Sequence, residues 1–519
     1  MSTTVYETEK KYEAPPGTTV PQLDSLPSVA GTAGPQEQLL EAEYYDTDDM
    51  RLIRDGVTLR RRRGGSDPGW HLKLPAGGST RREIQVPPGR GGRQVPARLA
   101  SLVRGYTRGE TLRPVARIST RRQVPTLLDS AGASLAEVAA DDVSAQTMGE
   151  ETMISQWAEV EVELTGGSPR LLKAADAQLR RDGLQPSARA AKLERALGWP
   201  AEDGPARNQP AGTANGRRGE QHHSAPVSAG DVVVAYLQEH AARLGTTDPL
   251  VRGDEPDAVH QMRVSTRRLR STLQSFGTVI PRSGTAGMLP ELKWLGGVLG
   301  EARDAEVLAS RLAHNLRTIP PELVLGPAEA RVQRHFAPIQ AAARTNVLAG
   351  LDSARYFALR DALDELLADP PLSAEADRPA GHVLPGTARR TYRRTRRRIR
   401  KARHTPPGGG QEAAYHEARK AAKRARYAGE AVSPALGHDA RHFTKQMKKI
   451  QSVLGDHQDA VVARGVDREL GIGAYLADEN AFTFGLLYER EDQRAARLRA
   501  EAQRTWKRAP QPRFGRRSS

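Results

Sequence analysis

The 519-residue chain contains no cysteine, so disulfides and thiolate metal ligands are excluded and any metal must be bound through oxygen or imidazole. Aromatic residues make up only 5% of the chain, which leaves few stacking platforms for single-stranded nucleic acid. No apolar run is long enough to span a bilayer, and no charged-then-apolar leader follows Met1. We therefore expect a cytoplasmic protein without a membrane partner.

Positive charge is abundant: the formal net charge is +16 and the isoelectric point is about 10.1. Such a balance favours a polyanionic partner. Because bases need stacking platforms and few are present, a phosphate polymer is favoured over nucleic acid, which stays as the alternative. The sequence indicates no oligomeric state.

The first 200 residues consist of short alternating segments separated by glycine and proline, a pattern typical of an antiparallel barrel or sandwich. In the first segment Glu7, Glu9 and Lys11 share one strand face. Carboxylates one strand step apart repel each other unless a cation lies between them, and hard oxygen ligands suit Mg²⁺ or Mn²⁺. Taken alone, this octapeptide is more typical of a charged, solvated strand face.

Many later segments also carry charge along one face. The residues that share a face within a segment are Arg60 and Arg62; His71 and Lys73; Arg81, Glu83 and Gln85; Arg117 and Arg121; Glu137 and Asp141; and Glu159, Glu161 and Glu163. A closed barrel of about eight strands can hold a ligand in its lumen. Acids around a divalent ion, with arginine and lysine lining the remainder, would form a receptacle for a metal-bound oligophosphate.

The ordered motifs resemble the CYTH family, the triphosphate tunnel metalloenzymes. Glu7-x-Glu9-x-Lys11 matches its ExExK signature, and the downstream order continues through Leu59–Arg62, Trp70–Lys73, Arg81-x-Glu83 and Glu159-x-Glu161-x-Glu163 to a helix with Lys192. The resemblance implies an eight-stranded antiparallel tunnel that cleaves a phosphoanhydride with a divalent metal.

The resemblance also implies roles for individual residues. Those expected to act in catalysis are Glu7, Glu9 and Lys11; those expected to bind Mg²⁺ or Mn²⁺ are Glu7, Glu9, Asp141, Glu161 and Glu163; and those expected to hold phosphate are Lys11, Arg60, Arg62, Lys73, Arg117, Arg121 and Lys192. One departure is that Ala191 stands where many relatives have a serine before the helix lysine.

A segment rich in glycine, proline and alanine, residues 201–228, predicts a flexible linker. Beyond it the apolar period becomes helical, and one motif occurs twice, about 156 residues apart. The matched pairs are His260 and His416, Arg263 and Arg419, Arg267 and Lys423, and Arg270 and Arg426. Leu299–Asp304 and Leu454–Asp459 repeat at nearly the same offset, which predicts two helical bundles related by pseudo-twofold symmetry.

Each stripe could be an ordinary solvated helix face, but a row of like charges along one face repels itself, which favours a binding surface. The repeat resembles the CHAD domain, a helical module whose implied ligand is inorganic polyphosphate. By this resemblance the polyphosphate-binding residues are His260, Arg263, Arg267, Arg270, His416, Arg419, Lys420, Lys423 and Arg426. Asp304 and Asp459 are expected to orient the cations of the stripes.

These patterns predict an α+β multidomain protein. We expect a CYTH tunnel over 1–200, a linker over 201–228, an all-α duplicated CHAD bundle over 229–505 and a basic tail over 506–519. The predicted function is metal-dependent hydrolysis of inorganic triphosphate or a related phosphoanhydride, with polyphosphate bound by the second domain. The alternatives are a non-catalytic protein of polyphosphate granules and a nucleotidyl cyclase.

Overall fold

The computed structural model describes residues 3–77, 80–89, 94–149, 151–199 and 227–509, together with 511 and 514. The chain divides into two compact units, Met1–Gly216 and Arg217–Ser519. Most of the predicted linker, 201–226, lies outside the described residues. Of its last residues, Ser228 caps the first helix of the second unit, accepting a hydrogen bond from the backbone N–H of Asp231 at 3.1 Å.

The first unit is a closed antiparallel β-barrel, as the strand pattern predicted. Its strands are Thr3–Ala14 (β1), Gly31–Asp46 (β2), Thr58–Arg63 (β3), Gly69–Pro75 (β4), Thr80–Val86 (β5), Arg113–Leu128 (β6), Ser134–Thr147 (β7) and Ile154–Leu164 (β8). The order is β5-β4-β3-β2-β6-β7-β8-β1, and β1 closes the ring because its first half pairs with β5 and its second half with β8. A two-residue strand, Gln185–Pro186 (β9), pairs with β1.

The two longer helices cover the outside of the barrel because alternate residues of its strands are apolar. The helices of this unit are Arg51–Arg54 (α1), Ala97–Thr107 (α2), Pro169–Arg181 (α3) and Lys192–Ala196 (α4). Outward residues such as Leu72 and Ile84 pack against α2, and Val160 and Val162 pack against α3. The intervening residues of the same strands therefore face the lumen.

The second unit is entirely helical among its described residues. Its α-helices are Ala229–Arg252 (α5), Ala258–Ser275 (α6), Met288–Arg317 (α7), Ala328–Leu351 (α8), Ala354–Ala368 (α9), Ala380–His404 (α10), Gly409–Leu476 (α11) and Phe482–Lys507 (α12), and two short 3₁₀ helices occur at Arg282–Gly284 and Pro321–Leu323. The α12 helix extends into the predicted tail, where Trp506 stacks on Tyr392 with ring centroids 5.4 Å apart. Phe514 also packs on the core, beside Phe443.

The helix order shows how the duplication is built. The helix α11 is continuous in its hydrogen bonding but kinks at Gly437, whose φ is 59° and ψ is −131°. Dividing α11 there makes α10, its two segments and α12 correspond to α5, α6, α7 and α8. Gly437 thus takes the place of the 276–287 connection in the first repeat, at a backbone conformation that glycine adopts without steric cost.

No helix among the described residues is both long and apolar enough to cross a bilayer.

Candidate active site and anion-binding groove

The first strand divides its side chains between lumen and exterior. Tyr12 points outward and is fully buried, and its hydroxyl donates to Asp176 of α3 at 2.9 Å. Glu7, Glu9 and Lys11, on the opposite face, point into the lumen and pair there with other charged residues. The ExExK motif is therefore an inward-facing triplet, as the sequence predicted.

Three carboxylates from two neighbouring strands converge at one end of the lumen. Asp141, Glu159 and Glu161 are all buried, with one oxygen from each within 4.8 Å of the others. The Lys192 ammonium, at the start of α4, lies 2.7 Å from Glu159 and 2.8 Å from both Asp141 and Glu161. Burial alone would lower the pKa of Lys192, but Asp141 and Glu159 raise it well above its usual value. The charged ammonium of Lys192 thus fills the space between the three carboxylates at this end of the lumen.

Two further cations contact the same carboxylates. Arg122 of β6 makes a two-pronged contact with Asp141, at 2.7 and 2.6 Å, and lies 2.5 Å from Glu161. Lys11 also contacts Glu161. Burial alone would raise the pKa of Glu161, but Lys11 and Lys192 lower it well below its usual value. Asp141 and Glu161 are therefore ionised, because each has cationic partners.

A second group of acids lies along the lumen and has fewer cationic partners. Glu9 and Glu163 are directly opposite each other on β1 and β8, and Glu7 contacts Lys73. Burial, and a hydrogen bond with Glu83, raise the pKa of Glu7 to about 8. Burial also raises the pKa of Glu163, which Lys73 only partly offsets. Raised carboxyl pKa values mark a place where another cation would be stabilised.

Cations from β3 and β4 line the opposite wall. The predicted phosphate ligands Arg60, Arg62 and Lys73 all have largely buried side chains. Arg60 lies 3.4 Å from the Tyr44 hydroxyl and 3.9 Å from Glu83. Burial and the neighbouring Arg60 guanidinium lower the pKa of Arg62 to about 10. This wall can donate hydrogen bonds to phosphate oxygens.

Two predicted phosphate ligands do not face the lumen. Arg117 is exposed and lies 2.9 Å from Glu43, and Arg121 is 68% exposed and lies 3.8 Å from Glu37. Their placement in the lumen was wrong because the strand alternates in the other phase, so Arg122 points inward.

Sequence reasoning also left out several lumen residues as ligands. Glu159 belongs to the three-carboxylate cluster, and Glu83 is 1% exposed. Glu83 accepts a hydrogen bond from His71 at 2.9 Å, and the other ring nitrogen of His71 lies 2.9 Å from the Asp67 carbonyl. His71 and Glu83 shared faces with predicted ligands in the sequence pattern, so their inward orientation could have been inferred.

The donor set fits a divalent metal with hard oxygen ligands. All candidate ligands are carboxylates, and no cysteine competes. Lys192 and Arg122 already neutralise the three-carboxylate cluster, whereas Glu9 and Glu163 lie directly opposite each other, with Lys11 3.3 Å from Glu9. Among the described residues, the three carboxylates that come within 4.8 Å of one another are those of the cluster. A metal held by Glu7, Glu9 and Glu163, with Glu161 at the boundary between the two acidic groups, would have to draw their side chains together.

In the helical unit, the two basic stripes face each other. Arg263 and Arg267 of α6 and Arg419 and Lys423 of α11 lie close enough to interact electrostatically. Burial, then Arg267 and Arg419, lower the pKa of Lys423 to about 6. Among the described residues, the Nε atoms of Arg263, Arg270 and Arg419 are buried without a hydrogen-bond partner. We call the surface formed by these two stripes the groove.

Each repeat orients its stripe in the same way. Arg263 contacts Asp304 at 2.8 Å, and Arg419 lies 3.8 Å from Asp459. These acids hold the arginines, as the sequence predicted. The histidines sit beside them: the His416 Nδ1 lies 2.9 Å from the Gln458 side-chain oxygen, and burial together with Arg303 lowers the pKa of His260.

The remaining predicted ligands lie at the margins of the groove. Burial lowers the pKa of Arg270, while Arg426 pairs with Glu430 at 3.0 Å. Lys420 has a 60% exposed side chain and pairs with Glu417 at 2.7 Å. Lys420 therefore lies outside the facing stripes, unlike Lys423.

The fold and these sites define a two-domain protein: a barrel with a charged lumen, followed by a duplicated helical module with a basic groove. The chain belongs to the proteins that join a CYTH domain to a CHAD domain, since the CYTH family model matches residues 6–192 and the CHAD model matches 235–466. An uncharacterized protein of Mycobacterium tuberculosis strain H37Rv is 36% identical over 515 residues, which cover 95% of this chain and 94% of the relative.

Solved structures resemble parts of the chain. PptA from Streptomyces chartreusis is 23% identical with a TM-score of 0.47, and the match covers 54% of this chain and 100% of PptA. The CHAD domain from the plant Ricinus communis is 26% identical with a TM-score of 0.45, covering 59% and 100% of the two chains.

Proposed function

We propose that the barrel hydrolyses inorganic triphosphate or a closely related phosphoanhydride with Mg²⁺ or Mn²⁺, and that the groove binds inorganic polyphosphate. The observation that carries the enzymatic part is the inward convergence of acids from β1, β7 and β8 opposite arginine and lysine of β3 and β4. An enclosed site that holds both signs of charge suits a metal-bound polyanion better than either charge alone would.

The residues of the chain divide the work between two walls. Arg60, Arg62 and Lys73 would hold the phosphate oxygens and stabilise the charge that develops on them. A metal held by Glu7, Glu9 and Glu163 would add positive charge to that of Lys11 and Lys73 and would polarise the phosphoanhydride. Lys192 and Arg122 keep Asp141 and Glu161 ionised and in place.

The experiment that tests the enzymatic part is phosphate release from inorganic triphosphate, with and without Mg²⁺ or Mn²⁺, by the wild type and by Glu9→Ala. Glu41→Ala is the matched control, because Glu41 lies on the exposed face of β2. We expect metal-dependent release that Glu9→Ala reduces at least about a hundredfold, while Glu41→Ala retains it. Equal rates for all three proteins would instead favour a non-catalytic adaptor of polyphosphate granules.

The groove carries the second part of the proposal. Arginine and lysine from two helices face each other with several buried, unpartnered Nε atoms, and such groups are stabilised by a bound anion. The double variant Arg263→Gln/Arg419→Gln should weaken polyphosphate binding at least about tenfold. Unchanged binding would mean that the groove is not the binding surface.

Tethering of the two activities follows from their presence in one chain. A polyphosphate chain held by the second domain would raise the local concentration of chain ends for the first. Cleaving the chain within 201–226 should then leave triphosphate hydrolysis unchanged and slow phosphate release from polyphosphate. Loss of both rates, or of neither, would argue against tethering.

A further inference from the structure

Helix α10 carries an unusually dense array of exposed positive charge. Its exposed basic residues are Arg389, Arg390, Arg393, Arg394, Arg396, Arg397, Arg400, Lys401 and Arg403. Its buried face consists of residues such as Leu384, Tyr392 and Ile399, which pack into the core. We call the exposed set the α10 face. It lies outside the two stripes, and the repeated motif did not predict it.

The α10 face is not neutralised within the described part of the chain. None of its side chains forms an ion pair with a carboxylate there; Arg389 instead approaches the carbonyl of Phe514 at 3.4 Å, and Arg390 the hydroxyl of Thr387 at 2.7 Å. Like charges three or four residues apart on a helix repel one another. The face therefore costs stability unless a polyanion lies on it.

The corresponding helix of the first repeat lacks this charge. Tyr236 of α5 and Tyr392 of α10 occupy equivalent positions, 156 residues apart. The exposed residues of α5 include Asp231 and Glu239, and Glu239 pairs with Arg243 at 3.1 Å. The duplication thus explains the groove but not the α10 face, which is a feature of the second repeat alone.

The α10 face is continuous with one end of the groove. Burial, followed by the charges of Arg394 and Arg270, lowers the pKa of Arg424 to about 10. Arg394 belongs to the α10 face, Arg270 to the first stripe, and Arg424 donates to Gln274 of α6. Because α10 and α11 pack in the same core, Arg424 of α11 lies near both the first stripe and the α10 face and links their positive charge.

We propose that a long polyphosphate chain leaves the groove at Arg424 and continues along the α10 face, so that this face makes the protein selective for long chains. The proposal rests on polyphosphate binding in the groove. The α10 face runs from Arg389 to Arg403 and adds about 21 Å of basic surface, at about 1.5 Å per residue. A chain too short to reach beyond the groove would not contact it.

The α10 face favours a polymer without bases. Its one aromatic residue, Tyr392, is buried and stacks on Trp506, so no exposed ring is available for a base. A flexible linear polyanion can follow a bend between groove and helix, whereas bending a duplex through a comparable path has an elastic cost. The experiment must therefore distinguish polyphosphate from duplex DNA as the ligand of the α10 face.

The test compares two full-length triple variants with equal loss of charge. Arg393→Gln/Arg396→Gln/Arg400→Gln removes one row of the α10 face. Arg317→Gln/Arg334→Gln/Arg468→Gln removes three exposed arginines from α7, α8 and α11. The dissociation constant is measured for a short polyphosphate of about 15 Å in extended length, which matches the stripe from His260 to Arg270 at about 1.5 Å per residue, for a long polyphosphate several times that length, and for a duplex DNA.

We expect the α10 variant to bind long polyphosphate at least about tenfold more weakly, with a salt dependence reduced by about two, since each contact contributes about 0.7 to the slope. Its affinity for short polyphosphate should match the wild type, as should both affinities of the control variant. Equal losses for short and long chains, an unchanged long-chain affinity, or a loss confined to duplex DNA would each overturn the proposal. The Arg263→Gln/Arg419→Gln variant tests polyphosphate binding in the groove independently of α10. If this variant bound short polyphosphate as well as the wild type does, the groove would not be the binding surface, whatever the α10 variant showed.

Discussion

Arg268 of the first repeat donates a hydrogen bond to Glu430 of the second at 3.0 Å. Arg424 of the second repeat corresponds to Arg268, and Gln274 of the first repeat corresponds to Glu430. Arg424 donates a hydrogen bond to Gln274, which is the reciprocal contact. Two contacts exchanged in this way are what a pseudo-twofold axis between α6 and α11 requires. The same axis brings Arg267 and Lys423, another corresponding pair, next to each other in the groove.

The first prediction concerns the pH dependence of polyphosphate binding. Lys423 has a pKa of about 6 because of burial and the nearby charges of Arg267 and Arg419, so it is largely neutral at pH 8. A bound polyanion favours its protonated form, so binding takes up a proton. Affinity should therefore fall as pH rises above about 6 and be flat below it, and titration calorimetry in two buffers of different ionisation enthalpy should detect the proton uptake.

Lys423→Arg is the variant that isolates this effect. Arginine stays charged, so this variant should bind polyphosphate with little dependence on pH between 6 and 8. The exposed, paired Lys420 provides the control, and Lys420→Arg should retain the wild-type profile. Parallel pH profiles for wild type and Lys423→Arg would show that another group takes up the proton.

The second prediction uses two glycines of α7. A Cβ at Gly300 would lie 3.1 Å from the Arg263 guanidinium, whereas one at Gly297 meets no atom within 4 Å. Both substitutions to alanine gain helix propensity of about 0.5–1 kcal/mol. Gly300→Ala should displace Arg263 and weaken polyphosphate binding several-fold, while Gly297→Ala binds normally and raises the free energy of unfolding.

A thermal melt and a binding titration of both glycine variants check this prediction. If Gly300→Ala bound polyphosphate as well as Gly297→Ala does, Arg263 would not need its present position to hold the ligand.

The third prediction concerns the metal. Among the described residues Glu163 forms no ion pair and lies opposite Glu9, so replacing it with glutamine removes a candidate ligand and relieves repulsion. Glu163→Gln should be at least as stable as wild type in the absence of metal, yet require about tenfold more Mn²⁺ for half-maximal thermal stabilisation. A melting curve series with increasing Mn²⁺ measures both effects, and an unchanged Mn²⁺ midpoint would remove Glu163 from the metal site.

The sequence predicted the barrel and the helical repeat because both depend on periodicity. The sequence shows which side chains of a strand face the lumen where the alternate residues are consistently apolar. Glu161 is an example, because its neighbours Val160 and Val162 pack outward. It is not readable in β6, where residues of both phases, such as Val115 and Ala116, are buried. For this reason Arg121 was predicted in place of Arg122.

The dense run Arg389 to Arg403 indicated a binding surface, but its continuation of the groove was beyond prediction for a different reason. A dense run of arginine was visible in the sequence, but its relation to the groove depends on the packing of α10 against α11 and on the approach of Arg394 to Arg424. Those are tertiary contacts that no local period encodes. Likewise, the motif order pointed to Lys192, but its position between three carboxylates required the closed barrel.

The most direct test of the central claim, that the inward charges of the barrel form a triphosphatase site, uses two adjacent arginines of one strand. Arg122 lies among Asp141 and Glu161, and Arg121 lies outside. Phosphate release from inorganic triphosphate with Mn²⁺ is measured for Arg122→Gln and Arg121→Gln, with circular dichroism to verify folding and Arg122→Lys as a charge-preserving variant. The account predicts a loss of at least about a hundredfold for Arg122→Gln, a partial loss for Arg122→Lys and wild-type release for Arg121→Gln. Equal release by folded Arg122→Gln and Arg121→Gln would contradict it.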